Sequence, residues 1–124
     1  MKIKISVVQF KPKIHSIDDS FKRAEQFIKK AKGTGSKIIC FPESFLAGPY
    51  DYYTSKEDAN YLIKKFPTLF KKELKKLSSK YDLAIIAGTI EEELADGRVV
   101  NRCYIFDKGE IVYYYDKIKH RYFL

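Results

Sequence analysis

The sequence predicts an α/β fold in which a mixed sheet of order β-α-β-α-β-β-β carries its helices on one face. Three observations lead there. Short β-branched runs end at Pro or Gly, as buried strands do. Two intervening stretches repeat apolar residues at helical spacing. The last three runs are joined by turn sequences, Asp96-Gly97 and Asp107-Lys108-Gly109-Glu110, which suit hairpins. Two crossovers followed by a meander give a sheet with parallel and antiparallel parts.

Ile3, Ile5 and Val7 alternate with Lys4 and Ser6 and lead into Val8 and Phe10, which predicts a mostly buried first strand ended by Pro12. Ser16, Asp18 and Asp19 are cap candidates for a helix starting near residue 17. Phe21, Ala24, Phe27, Ile28 and Ala31 mark its apolar face, and Gly33 and Gly35 close it. Lys37 to Phe41 is a buried second strand stopped by Pro42. Ser44 to Ser55 reads as an aromatic-rich loop, and Lys56 to Phe66 as a short helix. Pro67 suits the first turn of a longer helix whose stripe is Phe70, Leu74, Leu77 and Tyr81. Leu83 to Gly88, Val99 to Phe106 and Ile111 to Tyr115 complete the strands.

The 124 residues make one domain, and 45% hydrophobic content suffices for a core. No apolar run is long enough to span a bilayer and the N-terminus has no signal pattern, so the expectation is a cytoplasmic protein without membrane contact. The net charge of +8 raises nucleic acid as a partner. Only four of the 24 basic residues are Arg, however, and many lysines (Lys22, Lys29, Lys30; Lys71, Lys72, Lys75, Lys76) fall on predicted outer helix faces. A solvated surface is the better reading, and nucleic acid is not expected. Cys40 and Cys103 lie within apolar runs and read as buried thiols. Neither they nor His15 and His120 form a metal-ligand spacing, so no metal is expected.

Two residues stand at strand ends, where α/β folds gather their chemistry. Glu43 follows the second strand in Cys40-Phe41-Pro42-Glu43-Ser44. Beside Phe41, Phe45 and Leu46 its carboxylate is expected to be partly desolvated, which suits a general base. On the residues alone, the blander reading of a loop cap or a partner for a surface Lys is the better one. Lys117 ends the fifth strand in Tyr113-Tyr114-Tyr115-Asp116-Lys117. An ammonium there stabilises an oxyanion, or is one ordinary lysine among twenty.

Four features in order resemble the nitrilase superfamily of carbon–nitrogen hydrolases. Val8-Gln9 resembles its first strand, which ends in Gln, and Ile39-Cys40-Phe41-Pro42-Glu43 its hydrophobic-Phe-Pro-Glu signature. Ile86-Ala87-Gly88-Thr89 resembles its glycine-containing third strand, with Asn101 where the fourth keeps an Asn. Gly109-Glu110-Ile111-Val112, followed by Tyr115-Asp116-Lys117-Ile118, resembles its Tyr-Arg-Lys-x-His segment. The resemblance implies half of an α-β-β-α sandwich and a Glu-Lys-Cys triad acting on amides or nitriles without a cofactor. Glu43 would be the base, Lys117 the oxyanion cation, and a Cys thiolate the nucleophile.

The match departs from the pattern at Asp116, where many members have Arg, and at Lys119, where many have His; His120 comes one place late. The resemblance places the nucleophile a strand and a turn beyond Lys117, past Leu124. The expectation is therefore residues 1–124 as the N-terminal half of the domain, truncated before its Cys and inactive alone. Cys40 is an odd number of residues before Glu43, so it alternates to the other face of the strand and is not expected to substitute. Cys103, mid-strand, is not expected to either. Half a sandwich exposes its inner sheet face, so the expected partner is a second copy or a separate C-terminal half. A binding or scaffold protein that keeps the half-fold without chemistry is the alternative.

Overall fold

The computed structural model describes residues 1–118, apart from the side chain of Asp51. Lys119 and His120 lie outside the described residues. The chain runs β1 (Ile5–Val7), α1 (Ile17–Gly33), β2 (Ile38–Glu43), α2 (Lys56–Lys64), α3 (Phe66–Tyr81), β3 (Ala84–Glu93), β4 (Val99–Asp107) and β5 (Glu110–Asp116), with a 3-10 turn at Tyr50–Tyr52. The five strands form one sheet in sequence order. β1, β2 and β3 are parallel; β4 and β5 return antiparallel. This is the expected α/β architecture, with the helices packed on one face.

That face is the core. Ile39, Ile85 and Phe106 are adjacent in register across β2, β3 and β4 and are fully buried. Phe70 of α3 sits over them, with its ring centroid 6.0 Å from Phe106, 5.9 Å from Phe66 and 6.3 Å from Phe45. The i, i+4 stripe of α3 therefore packs as its spacing dictates. Pro67 occupies the first turn, and Ser55 caps α2 by accepting from the Asp58 amide. Ser16 is at the α1 N-cap, but its hydroxyl makes no cap bond.

The opposite face is open, which corrects the expectation of a mostly buried β1. Ile3, Ile5 and Val7 are exposed. Val7, Cys40, Ile86, Ile105 and Tyr113 form one row across all five strands. Both ends of that row, Val7 at 78% and Tyr113 at 61%, are well exposed. The middle three are half-buried. Cys40 and Cys103 share this face, so they are half-buried free thiols rather than core residues. No helix among the described residues is long and apolar enough to cross a membrane.

Candidate active site

Pro42 does not stop β2; the strand runs on to Glu43. β1 makes its last register pair at Val7 and Cys40. Beyond that point β2 has no strand partner on its β1 side among the described residues, and a residue without an N–H costs nothing there. On the other side β3 keeps its register with β2 across the proline. Phe41 pairs with Ala87 and Glu43 with Thr89, and the β3–β4 register shifts by one residue between Ile86 and Ile90. Gly88 lies within that shift with φ +56°, and a Cβ added to it would lie 2.0 Å from the Pro42 carbonyl oxygen. Only glycine fits so close an approach at that φ.

Ser44 then turns the chain with φ 53°, and its amide donates to Thr89 Oγ1 at 3.2 Å. The turn sends Phe45 and Leu46 into the core, where both are buried, and leaves Glu43 on the rim. The desolvation expected of Glu43 is therefore not found within residues 1–118: its side chain is 54% exposed.

Lys117 emerges from the end of β5, its amide donating to the Asn101 carbonyl at 2.9 Å. Three strand intervals separate β2 from β5, about 14 Å at the usual spacing. The long stems of Glu43 and Lys117 close that gap, and Lys117 Nζ donates to Glu43 Oε1 at 3.1 Å. The two sequence-predicted site residues are thus brought together. With Lys117 half exposed as well, the pair is solvent-screened and adds little stability. A carboxylate beside an ammonium at a sheet rim can nevertheless take a proton and steady a developing negative charge.

The cysteines are not part of this pair: each lies in the row or ladder of the open face, and burial pushes both thiols above their ordinary range. That setting disfavours a thiolate. A cavity of about 560 Å³ is lined by His15, Tyr53 and Asp58 among others, and contains neither Glu43 nor Lys117. Sequence reasoning missed Glu91, which is 3% exposed and accepts from Asn101 Nδ2 at 3.1 Å. In the run Glu91-Glu92-Glu93 it looks like solvated polar chain. The one-residue shift at Gly88 sets Glu91 opposite Asn101 and Glu92 opposite Val100, and both carboxylates are withdrawn from solvent; a glycine inside a strand run was the available signal.

The carbon-nitrogen hydrolase family model matches residues 4–122. The chain belongs to the carbon–nitrogen hydrolase family. Among curated relatives it is 28% identical over 120 residues to a nitrilase of Meyerozyma guilliermondii, covering 90% of this chain and 37% of the relative. It is 32% identical over 106 residues to the omega-amidase NIT2 of Danio rerio, covering 85% and 35%. The chain thus spans little more than a third of the length of these relatives. The fold matches a carbon–nitrogen hydrolase from Helicobacter pylori with TM-score 0.80 at 16% identity, covering 94% of this chain and 40% of that one. Saccharomyces cerevisiae Nit3, a nitrilase-superfamily member, gives 0.77 at 24% identity, covering 94% and 44%. These carbon–nitrogen hydrolase folds share the sheet and helix layer described above.

Proposed function

We propose that this chain supplies the Glu–Lys part of an amide- or nitrile-hydrolysing site and becomes catalytic only when a thiol from beyond Leu124, or from another chain, is set against it. The observation that carries this reading is the 3.1 Å approach of Lys117 to Glu43 across three strand intervals. For an amide, Glu43 takes the proton of the incoming thiol, and the thiolate attacks the carbonyl carbon. The Lys117 ammonium stabilises the oxyanion that forms as the carbonyl bond opens. Glu43 returns the proton to the leaving nitrogen, and a water, deprotonated by Glu43, then hydrolyses the thioester.

The open rim supports the need for completion. An enclosed pocket excludes water and strengthens the site's electrostatics, and no second wall stands above the exposed sheet face among the described residues. The same face supports association with a second copy or with a separate C-terminal half, because contiguous apolar surface in water drives association. A second reading, a scaffold that keeps the half-fold without chemistry, is favoured by the roughly half-exposed state of both side chains.

Ammonia release from short amides and nitriles separates the two. The chain alone should release none, and the chain mixed with a polypeptide covering the remaining length of a relative should release it. No release from a complex shown to have formed would favour the scaffold. Release by the isolated chain that Cys40→Ala abolishes would overturn the assignment of an external thiol.

A further inference from the structure

Lys117 follows an edge strand whose tyrosines, Tyr113, Tyr114 and Tyr115, are all exposed. An edge strand with so little buried surface frays easily. Its last residue, however, is tied into the sheet. Arg102 of β4 donates from Nε to Asp116 Oδ1 at 2.6 Å and from Nη2 to Oδ2 at 2.9 Å. This two-pronged bond fixes direction as well as distance. The Arg102 side chain is 14% exposed, and its guanidinium lies 4.1 Å from the Tyr114 ring centroid.

The tie continues inward. Arg102 Nη1 donates to the Tyr104 hydroxyl at 3.5 Å, the Tyr104 hydroxyl donates to Glu92 Oε2, and Lys71 of α3 donates to Glu92 Oε1 at 2.6 Å. Two cations and two anions thus alternate from α3 through β3 and β4 to β5. Their charges balance, and Glu92 and Arg102 are largely withdrawn from solvent. This corrects the expectation for Lys71, which faces Glu92 rather than bulk water. The Asp116 end of the chain is the residue next to Lys117, whose amide is held separately by Asn101.

We propose that the Arg102–Asp116 pair, backed by Tyr104, Glu92 and Lys71, is a positioning device that holds the end of β5 so that Lys117 reaches Glu43. The inference rests on the reading of Lys117 as the site cation. Arg102 and Asp116 touch no reacting atoms; they act through Lys117.

The test is site-resolved acylation of lysines in the whole chain by a water-soluble succinimidyl ester, read by mass spectrometry and normalised to the remote Lys29 and Lys56. Glu43→Gln calibrates the pair itself and should speed acylation of Lys117 about two- to fivefold, the range set by a half-exposed ion pair. Asp116→Asn and Arg102→Gln should speed Lys117 by a comparable factor with Lys29 and Lys56 unchanged. The swapped variant Arg102→Asp/Asp116→Arg should return Lys117 toward the wild-type rate. An unchanged Lys117 rate in Asp116→Asn, when Glu43→Gln does raise it, overturns the positioning role. An unchanged rate in Glu43→Gln overturns the Glu43–Lys117 pair instead, so the two failures are told apart. Asp116→Asn alters a partly exposed carboxylate at a strand end, so it keeps the test open should Arg102→Gln fail to fold.

Discussion

Gly88 lies so close beneath Pro42 that a Cβ on it would meet the Pro42 carbonyl oxygen at 2.0 Å. This contact lets β2 carry a proline through a paired region and still deliver Glu43 to the sheet rim. Gly88→Ala combines a left-handed backbone with a collision against backbone that cannot yield. It should cost at least about 2 kcal/mol in urea unfolding. Amide exchange at Ser44, which donates to Thr89, should accelerate because the turn after Glu43 must shift.

Phe70 touches Phe45, Phe66, Tyr104 and Phe106 and is fully buried. Phe70→Ala should lower stability by about 3–5 kcal/mol, the range for removing a buried ring. A denaturant midpoint with unchanged slope is the check.

The open row from Val7 to Tyr113 should govern association and not folding. Val7→Lys and Tyr113→Lys should move the chain toward monomer in multi-angle light scattering while shifting unfolding free energy by less than about 0.5 kcal/mol each. A wild-type chain that is already a monodisperse monomer would count against the apolar face as an association surface.

Glu25 of α1 accepts from Lys80 Nζ and Tyr81 Oη, both at 2.8 Å. Those hydrogen bonds, Lys80's first, hold its carboxyl below the ordinary value of 4.5. A depressed folded value means that the contribution is present above pH 4.5 and is lost as pH falls through the lower folded value. Glu25→Gln should therefore lower the melting temperature slightly near neutral pH. The two proteins should converge in acid well below 4.5. The effect is small, because both Lys80 and Glu25 are substantially exposed.

The helices were legible because a one-sided core imposes the 3.6-residue stripe, and Phe70, Leu74 and Leu77 carry it without interruption. Glu43 and Lys117 were legible as strand-end residues within recognisable motifs. Their meeting was implied only by the resemblance to a Glu-Lys-Cys triad, since two residues 74 apart on strands three intervals away carry no local signal of contact. Pro42 and Gly88 misled as separate signals, one a stop and the other a strand end; together they form a single close crossing. β3 extends through Glu91, Glu92 and Glu93 because β4 pairs with it there, and hydrogen-bond pairing leaves no apolar pattern to read. Ile5 and Val7 read as buried from alternation alone, which shows which residues share a face and says nothing of what covers it; the exposed inner face was implied only by the half-sandwich resemblance.

The most direct measurement is ammonia release by the chain completed in trans, comparing wild type with Glu43→Gln and Lys117→Met at equal occupancy of the complex. Loss of a general base costs about 10²- to 10⁴-fold, and the account predicts a fall of that order for Glu43→Gln, with Lys117→Met also strongly reduced. Undiminished release by either variant in the assembled complex would contradict it.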